Sequence, residues 1–275
     1  MGQGRDVVRE HYASPDIIDR LLVAVAEAGY RTDKLAPEML YPFDQLHGRE
    51  IAATREHVER LRLKDGMQVL DVGCGIGGPA RYMAATHDVT VTGIDVVPEF
   101  VATARDLTQR CGLDARVIFD EVNALAMPFQ DESFDAALCL YVGMNIVEKA
   151  HLCREIRRVL KPGGRLVWSE VALGPIGPAL FPLPWASVPA DSYLIPPQVL
   201  RQTFVKAGFH VVDFVDETER FIQTRSGPTG IAAPAAQQVA NQVVLGANFV
   251  ERRQNFIRNM MEGRLVSILV EAEKP

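Results

Sequence analysis

Val69-Leu70-Asp71-Val72-Gly73-Cys74-Gly75-Ile76-Gly77-Gly78 is the stretch on which the reading of this chain turns. It has the form of a strand that ends in a glycine-rich turn and opens a helix. Gly73 and Gly75 carry no Cβ, so a ligand can lie against the backbone. The helix start behind them offers unpaired N–H groups and the positive end of a dipole. Gly73, Gly75 and Gly78 also satisfy G-x-G-x-x-G, a dinucleotide fingerprint that calls for an acid at the end of the next strand. Asp95, in Gly93-Ile94-Asp95, supplies that acid 17 positions beyond Gly78 and is placed to hold two ribose hydroxyls. Spacing alone therefore admits NAD(P) or FAD in an oxidoreductase. Asp71 argues the other way. A carboxylate two residues before Gly73 suits a ligand bearing an ammonium and a sulfonium, and repels a pyrophosphate.

Outward from this turn, strands alternate with helices. Strands are expected at Gln68–Val72, Val89–Ile94, Arg116–Glu121, Ala136–Leu140 and Arg165–Val171, with helices at Pro79–Ala85, Glu99–Cys111 and Lys149–Leu160. That alternation predicts an α/β fold with a mostly parallel sheet covered on both faces. Two later strands, His210–Val215 and Leu265–Glu273, flank an insertion, Thr218–Gly263, in which no motif is legible. Residues 1–66 have a separate, helical character. Asp16–Ala28 has apolar residues at helical spacing behind Ser14 and Pro15, and Arg49–Arg62 forms a second helix after a proline-containing link, Ala36–Gly48. The expected division is a helical N-terminal cap (1–66) followed by one domain (67–275). Within that domain, 172–205 is a proline-rich lid and 218–263 an inserted cap. Ala172–Pro197 holds seven of the 17 prolines, which excludes regular helix or central strand there.

The run Asp71 to Arg81 resembles motif I of class I S-adenosylmethionine-dependent methyltransferases, and Gly77-Gly78-Pro79 resembles the sterol, tocopherol and sarcosine/dimethylglycine methyltransferase group. Asn123-Ala124 after the third strand, Met127-Pro128-Phe129 before Asp131-Glu132-Ser133-Phe134-Asp135, and Lys161-Pro162-Gly163-Gly164 before the fifth strand extend the resemblance over roughly residues 65–175. It implies a Rossmann-like sheet of seven strands with the last antiparallel, S-adenosyl-L-methionine as cofactor, and methyl transfer to a small-molecule acceptor. It also implies roles. Gly73, Gly75 and Gly77 line the cofactor and Asp71 sits at its methionine end. Asp95 holds the ribose, Val96 and Ala124 lie by the adenine, Asn123 meets the adenine edge, and Leu140 approaches the methionine moiety. Relatives often cover the cofactor with an N-terminal segment, which brings in Gln45 on the cofactor and His47 toward the acceptor. A non-catalytic protein that binds the same cofactor remains an alternative at this stage.

Displacement at a sulfonium has an excellent leaving group, so positioning can carry much of the rate, and a base is needed only if the acceptor must lose a proton. Glu170, near the end of the fifth strand among Val167, Trp168 and Val171, is the candidate base, with a pKa raised by desolvation. Tyr141 is a second catalytic candidate and Asn145 a substrate contact, since both follow the fourth strand where an acceptor approaches. Phe181, Trp185 and Tyr193 would form an aromatic acceptor pocket suited to flat rings, isoprenoid chains or methylated ammonium groups. His57 is expected at the surface. The residues do not choose among C-, N- and O-methylation.

Composition fits these expectations. In 275 residues the net charge is −6, which disfavours nucleic-acid backbones. No apolar run reaches the roughly 18 residues of a membrane span, and Met1–Glu10 is too polar for a signal peptide, so a cytoplasmic enzyme is expected. Cys74, Cys111, Cys139 and Cys153 lack metal-site spacing and are expected to be reduced, mostly buried thiols, with no metal bound. Homo-oligomerisation is compatible with all of this.

Overall fold

The structure is a computed structural model that describes residues 3–12, 16–226, 242, 244 and 249–275. Its sheet contains β1 (Gln68–Val72), β2 (Thr90–Asp95), β3 (Val117–Glu121), β4 (Phe134–Leu140), β5 (Leu160–Leu173), β6 (His210–Asp216) and β7 (Leu265–Glu273), in the order β3-β2-β1-β4-β5-β7-β6. β1 pairs in parallel with both β2 and β4, whereas β7 runs antiparallel between β5 and β6. This is the expected Rossmann-like seven-stranded sheet with an antiparallel last strand. β1 is the point where the strand order reverses, so a crevice opens beyond its carboxyl end, between β1 and β4.

Strand periodicity divides the core in two. Leu70, Val72, Cys139, Trp168 and Ile268 face α7 (Lys149–Val159) and α8 (Pro197–Lys206), while Val69, Val91, Leu138, Val167 and Leu269 face the opposite layer. That second layer is made by α4 (Glu50–Leu61), α5 (Gly78–Thr86) and α6 (Pro98–Arg110). β5 reaches back to Leu160, five residues before the expected start. Leu160 pairs with Phe134 before a register shift, so the Lys161–Gly164 turn is a bulge within the strand.

The N-terminal helices are α1 (Gln3–Tyr12), α2 (Ile17–Glu27) and α3 (Pro37–Asp44). Residues 36–48 are expected to be a proline-containing link. The structure makes Pro37–Asp44 a helix with Pro37 in its first turn and Pro42 inside, anchored by the buried Leu40 and Phe43. Leu21, Val25 and Phe43 share a core with Ile76, Phe100 and Leu107 of the sheet layer. Ser14 and Pro15, expected to start α2, lie outside the described residues, and Asp16 stands at its N-cap with φ 57°.

The fully buried Arg81 of α5 ties this cap to the glycine turn. Its guanidinium donates to Asp44 Oδ2 (3.0 Å), Ile76 O (2.8 Å), Thr108 Oγ1 (3.1 Å) and Ala104 O (3.3 Å). Two later helices, α9 (Thr218–Ser226) and α10 (Phe249–Met261), belong to the insertion. His57, expected at the surface, is 1 % exposed, with Nε2 3.4 Å from the buried Glu217 just before α9. Among the described residues no helix is long and apolar enough to cross a membrane.

Candidate active site

A cavity of about 480 Å³ opens where the topology places a crevice, at the carboxyl ends of β1, β2 and β4. Asp71, Gly73, Gly75, Asp95, Val96, Asn123, Ala124 and Leu140 line one side of it. Gly73 has φ +69°, and a Cβ there would run into Val142 just after β4, so only glycine fits. Asp95 is fixed by two backbone donors, Gly75 N to Oδ2 and Val97 N to Oδ1, each at 3.0 Å. Each carboxylate oxygen keeps a further lone pair for a ligand hydroxyl. Asn123 Oδ1 accepts from Leu125 N at 3.0 Å, which orients its amide.

Asp71 is the electrostatic centre of this wall. It is 2 % exposed and its Oδ2 has no hydrogen-bond partner. Burial, reinforced by the Asp95 charge, pushes its carboxyl up to about 7. A buried carboxylate oxygen left without a partner costs about 1–3 kcal/mol, and a cationic ligand end placed beside it relieves that cost. Asp71, Asp95 and the glycine backbone therefore fit S-adenosylmethionine, whose methionine end carries positive charge, and fit a pyrophosphate poorly. The oxidoreductase reading finds no support here.

The rest of the lining is rich in aromatic rings. Tyr12, Tyr141, Trp185, Tyr193, Phe221, Phe249 and Phe256 belong to it, joined by His47, Met144, Asn145, Arg253 and Ile257. Trp185 and Phe256 meet edge to face at 5.6 Å, and Trp185 Nε1 donates to Ser192 Oγ at 2.9 Å. The His47 ring stacks on Tyr141 at 6.0 Å. Burial holds the imidazole of His47 near 4, hence neutral. Both its nitrogens are engaged within the protein, Nδ1 with Gly48 O at 3.1 Å and Nε2 with Thr54 Oγ1 at 2.9 Å. Tyr141 adopts φ 57°, and its hydroxyl, whose pKa burial raises, lies 3.4 Å from Ser267 Oγ.

Four sequence-derived candidates do not line the cavity. Gly77 caps α5 at φ 83° and faces the Phe119 ring. Gln45 is buried one layer back, where Nε2 donates to Asp44 Oδ1 at 2.7 Å and Oε1 accepts from Thr54 Oγ1. Phe181 packs in the apolar cluster around Trp185 without reaching the cavity wall. Glu170 is the largest correction. Its side chain shares a sheet face with Trp168 and points beneath the turn at Gly143, where it is completely buried. Strand alternation puts it on the α7 side, and it is not among the residues that line the cavity. The sequence reading missed Phe249, Arg253, Phe256 and Ile257, although their i, i+4, i+7, i+8 spacing is a helical stripe readable in the insertion.

Residues 70–168 match a family model described as a methyltransferase domain. The chain is 33 % identical to 27-O-demethylrifamycin SV methyltransferase of Amycolatopsis mediterranei (strain S699) over 64 % of its own length and 59 % of that protein's. It is 35 % identical to phosphoethanolamine N-methyltransferase 1 of Arabidopsis thaliana over 63 % of its own length and 35 % of that protein's. The chain thus spans between a third and three fifths of these two curated relatives. Among solved structures, the (4+2)-cyclase SpnF matches 99 % of this chain and 97 % of its own, at 27 % identity and TM-score 0.66. A geranyl diphosphate C-methyltransferase from Streptomyces coelicolor A3(2), solved with S-adenosyl-L-homocysteine, matches 100 % of this chain and 99 % of its own at TM-score 0.69; at 17 % identity it shares the fold.

Proposed function

We propose that this chain is an enzyme that transfers a methyl group from S-adenosylmethionine to a small, largely apolar acceptor. The carrying observation is one cavity with two unlike walls: Asp71 and Asp95 over a glycine turn on one side, seven aromatic rings on the other. The cofactor supplies an activated methyl group on a positively charged sulfur. Asp71 favours that positive charge, Asp95 takes ribose hydroxyls, and Val96, Ala124 and Asn123 frame the adenine. Trp185, Tyr193 and Asn145 face the acceptor, and Tyr141 serves as a wall. With the nitrogens of His47 engaged and Glu170 enclosed, catalysis rests on orientation of the acceptor rather than on a strong base. The rings of 172–205 and 218–263 support reading both segments as the acceptor enclosure. Four free cysteines fit a reducing cytoplasm, and the net charge of −6 fits an uncharged or cationic small molecule better than a nucleic acid.

Calorimetry with S-adenosylhomocysteine against NADH tests the donor half: micromolar binding of NADH without binding of S-adenosylhomocysteine would overturn it. Labelled S-adenosylmethionine with a panel of polyketide, terpenoid and amine acceptors tests transfer. The near full-length match to SpnF favours one further reading, ring closure of a polyene in the same apolar cavity. Product mass separates the two, since methylation adds one methylene and ring closure leaves the mass unchanged.

A further inference from the structure

Lys149 is the first residue of α7 and is 5 % exposed. Three electrostatic arguments stand against a lysine there. Burial of an ammonium costs several kcal/mol, a cation at a helix N-terminus opposes the helix dipole, and burial does lower this lysine's pKa, with only Glu170 and Cys153 opposing the shift. An apolar side chain would be the cheaper choice. What the ammonium gains is specific. Its three N–H donors meet three carbonyls: Gly143 O at 2.6 Å, Ile146 O at 3.2 Å and Tyr193 O.

Those carbonyls belong to two separate pieces of the acceptor wall. Gly143 and Ile146 sit in the turn that presents Met144 and Asn145 to the cavity, and Tyr193 is in the proline-rich segment. A backbone bond from Tyr193 N to Met144 O (2.9 Å) runs alongside, and Ser192 next door anchors Trp185. Beneath the same turn lies Glu170, whose two carboxylate oxygens have no hydrogen-bond partner. Gly143 sits so close that a Cβ would collide with Glu170 Oε2 and the Trp168 ring.

We infer that Lys149 is a positioning residue that clamps the β4–α7 turn to the proline-rich segment, with Glu170 as its buried counter-charge rather than a base. This rests on the reading of the aromatic side as the acceptor wall, but its first test does not require turnover. Hydrogen exchange on the full chain should show amides of residues 141–148 and 189–195 exchanging about tenfold faster together in Lys149→Met, with β4 protected as before. S-adenosylhomocysteine affinity should stay within about twofold in the same variant. Glu170→Gln should loosen the same two segments less. In turnover assays with an accepted substrate, Lys149→Met should raise the acceptor KM about tenfold or more without changing cofactor affinity, while Glu170→Gln keeps the wild-type pH profile. Unchanged exchange in Lys149→Met, or acceleration spread over the whole sheet, overturns the clamp. Loss of turnover in Glu170→Gln together with loss of a pH limb near neutrality returns Glu170 to the role of base.

Discussion

The two walls of the cavity are built in opposite ways. The donor wall comes from residues 71–75, 94–97, 122–125 and 140, all at strand ends, and much of it is held by backbone bonds such as Gly75 N and Val97 N to Asp95. The acceptor wall gathers Tyr12, Tyr141, Trp185, Tyr193, Phe221 and Phe256 from helices and loops spread across the chain. A ligand that never changes can be met by a fixed backbone geometry. A ligand that differs between relatives is met by side chains on replaceable segments.

Independent mutation of the two walls tests this contrast. The largest effect is expected from Asp95→Ala, which removes the carboxylate proposed to take the ribose hydroxyls and the acceptor of two backbone donors. Loss of one or two charge-assisted bonds should lower S-adenosylhomocysteine affinity about a hundredfold, measured by calorimetry, with acceptor KM little changed. Next, Phe256→Leu removes the ring that packs against Trp185 and Phe221. It should raise acceptor KM about tenfold and leave cofactor affinity intact; an equal loss on the donor side would erase the division.

A smaller effect concerns pH. In the ligand-free protein Asp71 titrates near 7, raised from 3.8. Below that pH it is protonated and attracts a cation less. S-Adenosylmethionine affinity should therefore rise with pH up to about 7, by at most about tenfold per unit, and then level off. Proton release on binding, read from calorimetry in buffers of different ionisation enthalpy, checks the sign. Asp71→Asn should abolish the slope. The folded state holds this proton more tightly than the unfolded chain, so Asp71 also makes the ligand-free fold lose stability as pH climbs from 3.8 to about 7. Asp71→Asn should flatten that trend in thermal melts. The smallest change is expected for Tyr141→Phe. Its hydroxyl has only a long contact of 3.4 Å to Ser267 and a weak interaction with Ser169, so turnover should stay within about threefold; a loss of orders of magnitude would make Tyr141 catalytic.

The same contrast explains what the sequence disclosed. Strand–helix alternation and the glycine turn located the sheet and eight cavity residues on the donor wall, because backbone geometry at strand ends restricts residue type. Glu170 looked available because its neighbours were apolar and its strand pointed at the cavity; the pleat turned it to the other face. Lys149 gave no signal, since a lysine at a helix start reads as solvent-facing. α3 was hidden by Pro42, whose missing N–H is outweighed by the burial of Leu40 and Phe43. His57 and Glu217 meet only in three dimensions, 160 residues apart.

Arg81 has a consequence for protein engineering. The run from Val69 to Arg81 reads like a portable cassette, but its last residue is a fully buried guanidinium whose carboxylate partner Asp44 lies in another helix. Grafting the run without residues 37–44 strands that cation at a cost of about 3–5 kcal/mol, a large part of a typical domain's stability. The helix 249–261, by contrast, reaches the cavity through the side chains of Phe249, Arg253, Phe256 and Ile257, which can be exchanged without stranding a buried charge of this kind. Recombination between relatives should therefore cut after the fourth strand, keeping the donor turn and the helix that neutralises it on one parental piece.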